Sequence, residues 1–427
     1  MSTFAVKFLG CKVSQADAML ARDALLAAGH VEVAEYDAEV HVVNTCCITA
    51  EAEAKSRQSV RRSLRAARSV YASGCAVNLS AREFGELGDG VVAFTGAAES
   101  VAQRIAGHAS SGATACADTD HDVIARERQE AAEPLVRTRG FVKVQDGCDS
   151  ECAYCIIPTV RGPARSRPAS AVLREVRRRV QAGQPEMVMT GISVGDYRDP
   201  EQGMELGDLM REVARVPGVE RVRLSSVEVV HVRDSLLEAV ACEPKICRHL
   251  HVPLQSGDDA VLAAMGRPYT AAQYVEQIAR VRAAVPGLNV TADVIVGFPI
   301  EDEEAFERTL ATVDAAGVTR VHAFPYSPRP GTVAAALPDA VGPAERKRRG
   351  QALRAHSELR SREHRSARLG CRERVLVDKV AASQCSGYTQ DYVRAYLPAG
   401  AATRGELAEV RCEALHADGI RCVPAGG

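Results

Sequence analysis

The sequence predicts an α/β chain in three parts: a doubly wound parallel sheet, a partial (β/α)6 barrel and a small all-β barrel. Short apolar runs alternate with helical periodicity over residues 1–108 and again from about 137 to 327, the pattern that parallel βα units produce. Beyond residue 369 the helical pattern stops, and short strand-like runs separated by glycine-containing turns take over. The length of 427 residues suits this count at roughly 150 residues per domain.

In the first part, 1–108, strands are expected at Phe4–Leu9, Val40–Val43 and Ser69–Ala72. Helices are expected at Gln15–Ala28, from Ala50 to about Ala67, and once more after the third strand. Residues 109–133, rich in Ala, Ser, Asp and Glu, read as a linker. The second part, 134–366, offers strands at Phe141–Gln145, Glu186–Thr190, Arg221–Ser225, His249–Leu254, Val290–Val296 and Val321–Tyr326. Helices such as Ala271–Val285 and Glu301–Ala316 separate them, and six units fit an incomplete barrel. Pro343–Leu369 is a basic helix, with nine Lys/Arg against three Glu between Glu345 and Arg368. The last part, 367–427, has strand patterns at Val375–Val380, Tyr392–Tyr396 and Leu407–Ala414.

Apolar residues at 46% and charged residues at 25% are enough for sizeable soluble cores. No run approaches the roughly 18 apolar residues of a membrane span, and no charged leader precedes an apolar block, so neither a membrane partner nor secretion is expected. The expected location is the cytoplasm, where fourteen cysteines point to metal or catalysis rather than disulfides. A net charge of −2 does not announce a nucleic-acid partner, and 4% aromatics without Trp argue against recognition by base stacking.

Cys148, Cys152 and Cys155 form a CxxxCxxC run in QDGCDSECAYC, directly after the first barrel strand. On a helix the outer two would stand about 10 Å apart. Gly147 before the run and Pro158 after it favour a curled loop. Three thiolates on a four-iron cluster leave one iron open, whereas a zinc site more often pairs CxxC units with a fourth ligand. Cys11, Cys46 and Cys75 sit after the three N-terminal strands, in LGCKVSQAD, VVNTCCIT and ASGCA. Carboxyl ends of parallel strands converge on one edge, so these three can meet there. A single free Cys is more often a buried apolar side chain, a reading that weakens for three in this placement.

The cysteine loop resembles the signature of the radical S-adenosylmethionine superfamily, whose fold is a partial (β/α) barrel with a cluster at the carboxyl ends of its strands. Over nearly the whole chain the pattern is similar to the methylthiotransferases, in particular the bacterial branch acting on N6-threonylcarbamoyladenosine in tRNA. The motifs that carry this are GCKVSQAD, NTCCIT, EAKSRQSVRR, QDGCDSECAYCIIPTVRGPARSR, RLSSVE, CRHLHVPLQSG, DVIVGFP and FPYSPRPGT. The resemblance implies a flavodoxin/Rossmann-like N-terminal sheet, a radical S-adenosylmethionine barrel and a TRAM-like RNA-binding barrel. It implies two 4Fe–4S clusters, an auxiliary one on Cys11, Cys46 and Cys75 and a catalytic one on Cys148, Cys152 and Cys155, with S-adenosylmethionine on the open iron. It further implies that one S-adenosylmethionine methylates a sulfur at the auxiliary cluster, leaving S-adenosylhomocysteine, and that a second is cleaved to a radical that removes hydrogen from C2 of the modified adenine. The implied partners are tRNA, an electron donor of flavodoxin or ferredoxin type and a sulfur source, with no DNA and no membrane.

Four features depart from the family pattern. Ser14 stands where Asn is common, Cys47 directly follows Cys46, Ile300 replaces a Gly, and seven Lys/Arg balance seven Asp/Glu from Gly370 onward. A neutral terminal barrel is a weak phosphate binder by itself, which shifts part of that task to the basic helix.

Residues expected to meet the cofactor lie at the ends of barrel strands. Thr190 and Gly191 would present backbone to its amino group, and Gly191 equally suits a plain turn. Ser225, Ser226 and Glu228 would bond the ribose, and equally suit helix capping. Gln255 and Gly297 end the fourth and fifth strands, and Tyr326 ends the sixth with core packing as its alternative. Arg161, Arg165 and Arg167, and the run Lys55, Arg57, Arg61, Arg62, Arg65 and Arg68, are candidate RNA contacts, although a charge run is usually a solvated face. The rival readings are the same chemistry on a ribosomal protein, a non-enzymatic iron–sulfur RNA-binding regulator, and a zinc protein.

Overall fold

The computed structural model describes residues 1–110 and 138–425, which form two compact units: 1–110 together with Thr159–Arg161, and 138–158 together with 162–425. The expected linker lies outside the described residues except for 109 and 110, which end the helix Val101–Ser110. Cys116 lies outside them too.

The first unit is a five-stranded, wholly parallel sheet. Its strands are β1 (Thr3–Phe8), β2 (Val31–Glu32), β3 (Val40–Thr45), β4 (Ser69–Gly74) and β5 (Val91–Ala93), in the order β2-β1-β3-β4-β5. This is the flavodoxin-like order, with its topological switch point between β1 and β3. The three predicted strands are the inner ones, and β3 is buried at every residue. The edge strands β2 and β5 escape sequence reading because they span two and three residues. The helix Ala50–Leu64 starts where the Thr49 side chain accepts from the Ala52 N–H, with Glu51 and Glu53 in its first turn and Arg61 and Arg62 in its last. One helix was expected after β4; two short ones, Cys75–Leu79 and Ala81–Gly85, take its place, broken at the extended Ser80.

The second unit holds six parallel strands: β6 (Arg139–Lys143), β9 (Glu186–Thr190), β10 (Arg221–Leu224), β11 (His249–His251), β12 (Asn289–Val296) and β13 (Arg320–Pro325). A two-residue antiparallel clasp, β7 (Gln145–Asp146) with β8 (Arg165–Ser166), follows β6. Pairing runs β6-β9-β10 and β11-β12-β13, with a parallel bridge from Val222 to Ile246 joining the halves. Among the described residues β6 and β13 do not pair, so this is the partial (β/α)6 barrel. Alternate residues such as Met187, Met189, Val222, Leu224, Val290, Ala292 and Val294 pack outward against the helices in one core. The intervening ones, Glu186, Thr190, Arg221, Arg223, His249, His251 and Thr291, line a buried polar interior.

The terminal barrel closes in the order β14-β15-β16-β18-β17, from β14 (Arg372–Val380), β15 (Gln384–Tyr388), β16 (Arg394–Pro398), β17 (Leu407–His416) and β18 (Gly419–Pro424). One pairing, β16 with β18, is parallel. The loop from Thr389 to Val393 enters the amino-terminal end of the six-stranded barrel. Arg223 donates to the carbonyls of Thr389 and Gln390 at 3.0 and 3.1 Å and pairs with Glu186 at 2.9 Å, both side chains being 1% exposed. Arg221 donates to the carbonyls of Tyr388 and Arg374, Asn289 donates to that of Asp391, and Tyr392 at φ +68° stacks on His249 at 5.1 Å. The amino-terminal mouth is therefore plugged, leaving chemistry to the carboxyl edge. Removing one partner of a buried ion pair costs about 3–5 kcal/mol. Arg223→Met should therefore lower the denaturation midpoint sharply, read by chemical unfolding; an unchanged midpoint would mean the plug adds nothing to stability.

Candidate iron–sulfur and cofactor sites

Because β1, β3 and β4 are neighbours, the residues that follow them emerge side by side at the carboxyl edge, next to the switch point. Cys11 follows Gly10 at φ +107° and is exposed, Cys46 follows Thr45, and Cys75 follows Gly74 at φ +95°; the last two are buried. A Cβ on Gly10 would lie 2.9 Å from Cys46 Sγ, so only glycine lets these two turns close on each other. The Cys46 N–H donates to Ser56 Oγ at 2.9 Å, fixing its turn. Burial pushes the Cys75 thiol up to about 11 against the pull of the Arg161 guanidinium, and Cys11 and Cys46 add to the rise. Cys47, next to Cys46, is wholly buried. Arg161 Nε donates to Cys75 Sγ at 3.0 Å, and its Nη2 pairs with Asp17 at 2.9 Å, with both side chains nearly fully buried.

The second trio lies on a non-helical loop held by the β7–β8 clasp. Gly147 has φ +71°, and a Cβ there would lie 1.9 Å from the Pro163 carbonyl oxygen. The Cys148 N–H donates to the Gly162 carbonyl at 3.1 Å, and the Cys155 N–H to that of Cys152 at 3.0 Å, so the loop curls back on itself. Burial pushes the Cys155 thiol up to about 11, opposed by a backbone N–H from Ile157 and reinforced by Cys152 and Cys148. Arg267 Nη1 donates to Cys152 Sγ at 3.0 Å; its Nη2 pairs with Glu228, and its Nε donates to Tyr269 Oη at 3.2 Å.

The expected cofactor residues all fall at the carboxyl edge of the barrel. The Thr190 hydroxyl is buried without a hydrogen-bond partner among the described residues, as is that of Tyr326. Gly191 backs closely onto Gln145, where a Cβ would sit 3.0 Å from its carbonyl oxygen. The Ser225 N–H is bonded to the Met189 carbonyl, and Ser226 is half-buried. Glu228 is engaged by Arg267. Gln255 has φ +67° and bridges Val294. Gly297 donates to Glu301 and accepts from Arg346, so its backbone is already bonded. Tyr326 packs edge-on against Phe298 at 5.5 Å, and Ile300 faces outward.

Two groups were missed in the sequence. One is the aim of two arginines at cysteine sulfurs, since the sequence does not single out Arg267 and offers Arg161 as an RNA contact. The other is His251, Asp293 and His322 on adjacent strands, whose ligand atoms lie within 4.8 Å of one another. This is a two-histidine, one-carboxylate set of the kind first-row metals accept. Burial opposes ionisation of Asp293, but the two imidazoles outweigh it and hold the carboxyl well below its usual range.

The basic segments divide. On the basic helix Arg346, Arg348, Arg349, Arg360, Arg365 and Arg368 are engaged by carboxylates, leaving Lys347, Arg354 and Arg362 exposed without an ion pair among the described residues. Arg161 and Arg167 are likewise taken by Asp17 and Glu175, while Arg165 is exposed. Lys55 and Arg57 pair with Glu51 and Glu53, but Arg61, Arg62, Arg65 and Arg68 are exposed and have no ion pair among the described residues.

Residues 142–313 match the Radical SAM superfamily, and residues 3–96 match Uncharacterized protein family UPF0004. A solved radical S-adenosylmethionine methyltransferase, TsrM from Kitasatospora setae, shares the fold with a TM-score of 0.55 at 16% identity, over 78% of this chain and 77% of that one. By fold and sequence this is a radical S-adenosylmethionine enzyme, and S-adenosylmethionine and 4Fe–4S clusters are its cofactors. The chain is 32% identical to the threonylcarbamoyladenosine tRNA methylthiotransferase MtaB of Thermotoga maritima, over 98% of this chain and 96% of that protein. It is 35% identical to MtaB of Bacillus subtilis, over 86% and 82%. It is 33% identical to the tRNA-2-methylthio-N(6)-dimethylallyladenosine synthase of Sorangium cellulosum, over 88% and 82%. The chain belongs to the radical S-adenosylmethionine methylthiotransferase family. No helix among the described residues is long and apolar enough to cross a membrane.

The donor sets fit the clusters. A neutral thiol is a weak acceptor, whereas a buried guanidinium N–H aimed at sulfur suits a thiolate ligand. Gly147→Ala should displace the Cys148 loop and lower iron content while leaving far-UV circular dichroism intact. Full iron content in that variant would show that the tight turn is dispensable.

Proposed function

We propose that this enzyme adds a methylthio group to C2 of N6-threonylcarbamoyladenosine beside the anticodon of tRNA. The observation that carries this is the end-to-end correspondence with the Thermotoga protein of that activity, over 98% and 96% of the two chains. Relatives named for dimethylallyladenosine align over 49% to 88% of this chain, at identities of 43% and 33%, which makes that nucleoside the second reading.

In this proposal Cys148, Cys152 and Cys155 hold the cluster with an open iron, and Cys11, Cys46 and Cys75 hold the auxiliary one. When bound, these groups and S-adenosylmethionine supply one-electron sulfonium cleavage, a 5′-deoxyadenosyl radical and the sulfur to be transferred. The chain's own residues bind and orient. Thr190 and Tyr326 offer buried hydroxyls without a partner among the described residues, and Gly191 and Gly297 follow their strands at the same edge. Ser225, Ser226, Glu228 and Gln255 frame the same edge, and the plugged floor keeps water out from below. Three domains, 1–108, 134–366 and 367–427, divide the work between sulfur donor, radical chemistry and RNA. A flavodoxin- or ferredoxin-type donor and a sulfur source serve the reaction in the cytoplasm.

The deciding test is mass spectrometry of tRNA nucleosides from cells with and without the gene. The 2-methylthio form of threonylcarbamoyladenosine should vanish on deletion and return with wild type but not with Cys148→Ala. Cys11→Ala should still cleave S-adenosylmethionine yet give no methylthio product. Loss of 2-methylthio-dimethylallyladenosine instead would select the second reading. Phosphate contact is assigned to the unpaired arginines: Arg62→Ala and Arg65→Ala should each weaken tRNA binding and reduce its salt slope by about 1. Unchanged slopes would place the RNA elsewhere.

A further inference from the structure

The two cysteine trios share a device that neither motif announces. In each, one buried arginine donates an N–H to a cysteine sulfur and is anchored from behind by a carboxylate. At the loop, Arg267 Nη1 lies 3.0 Å from Cys152 Sγ, with Glu228 on Nη2 and Tyr269 on Nε. The Arg267 side chain is 4% exposed, and its guanidinium also lies 5.1 Å from the Tyr269 ring centre, so every nitrogen is committed. In the N-terminal unit, Arg161 Nε lies 3.0 Å from Cys75 Sγ with Asp17 at 2.9 Å on Nη2, the two side chains being 6% and 7% exposed.

Charge bookkeeping alone does not call for this. Asp17 and Glu228 already neutralise the guanidiniums, so pointing an N–H at a sulfur matters only if that sulfur carries negative charge. We infer that Arg267 and Arg161 are redox-tuning residues, each raising the reduction potential of the cluster held by the cysteine it touches. The inference rests on the proposal that both trios hold clusters. One-electron reduction adds a negative charge to a cluster without moving a proton, and hydrogen bonds to its sulfurs are among the factors that set its potential. The N–H donor stabilises the reduced form. The carboxylate behind it pins the guanidinium in place and offsets part of its field. The two members of each pair therefore push the potential in opposite directions, which a merely structural pair would not do.

The test is a redox titration of the anaerobic holoenzyme with dithionite, followed by electron paramagnetic resonance, alongside iron quantification. Cys148→Ala, left with the auxiliary cluster alone, and Cys11→Ala, left with the loop cluster alone, tell the two signals apart. Arg267→Gln should shift that cluster's midpoint negative and leave the other unmoved, Arg267→Lys should recover part of the shift, and Glu228→Gln should move it positive. Arg161→Gln and Asp17→Asn should do the same to the auxiliary cluster alone. Should Arg267→Gln lose iron, Glu228→Gln decides, because the glutamine Oε1 still accepts from Nη2 and holds the donor on the cysteine while the negative charge is gone. Wild-type midpoints in fully loaded Arg267→Gln and Glu228→Gln would overturn the inference. Absence of any iron–sulfur signal in wild type would instead remove the cluster assignment, and the inference with it.

Discussion

Parallel strands all end on the same edge, and both cysteine trios depend on that constraint. In the N-terminal sheet it turns three thiols distant in sequence into neighbours at a switch point. In the barrel it gathers the cysteine loop, Thr190, Ser225, Gln255, Gly297 and Tyr326 on one rim. An antiparallel sheet would scatter the same residues between two ends. The glycines at 10, 74 and 147 complete the arrangement, because each takes a positive φ at a point where a side chain would collide with neighbouring atoms.

The opposite end of the barrel obeys a different rule. Its interior carries Glu186, Arg221 and Arg223, charges too costly to bury without partners. The partners come from the backbone carbonyls of residues 374 and 388–390, in a module that by composition has no excess of basic residues. The C-terminal barrel is thus a structural floor for the six-stranded one. Near-neutrality suits the floor, since unpaired charge there would meet buried guanidiniums.

Much of this was legible in the sequence. The six barrel strands fall within two or three residues of where apolar runs put them, because a strand covered on one face by helices must be apolar at alternate positions. The cysteine loop was legible because its determinants, Gly147 to Pro158, are contiguous. The arginines aimed at sulfur were not: 115 residues separate Arg267 from Cys152, and 86 separate Arg161 from Cys75. The sequence offers Arg161 only as an RNA contact and does not single out Arg267. Strand β15, with the sequence QCSGY, lacks an apolar pattern; it is a strand because Gly387 lets it press against the Leu376 carbonyl. The charged helix misled for the opposite reason, since its carboxylate partners lie partly on other elements.

The plug also imposes an order on synthesis. Arg223 leaves the ribosome long before Gln390, whose carbonyl it bonds across 167 residues, and at about 5–20 residues per second that interval lasts many seconds. Once β13 has emerged, the six-stranded barrel has its strands and apolar core but an unsealed floor, with Arg223 and Glu186 still in water. A nascent chain stalled near residue 366 would hold a barrel that is nearly complete yet hydrated at its base, so completion waits for strands β14 to β18.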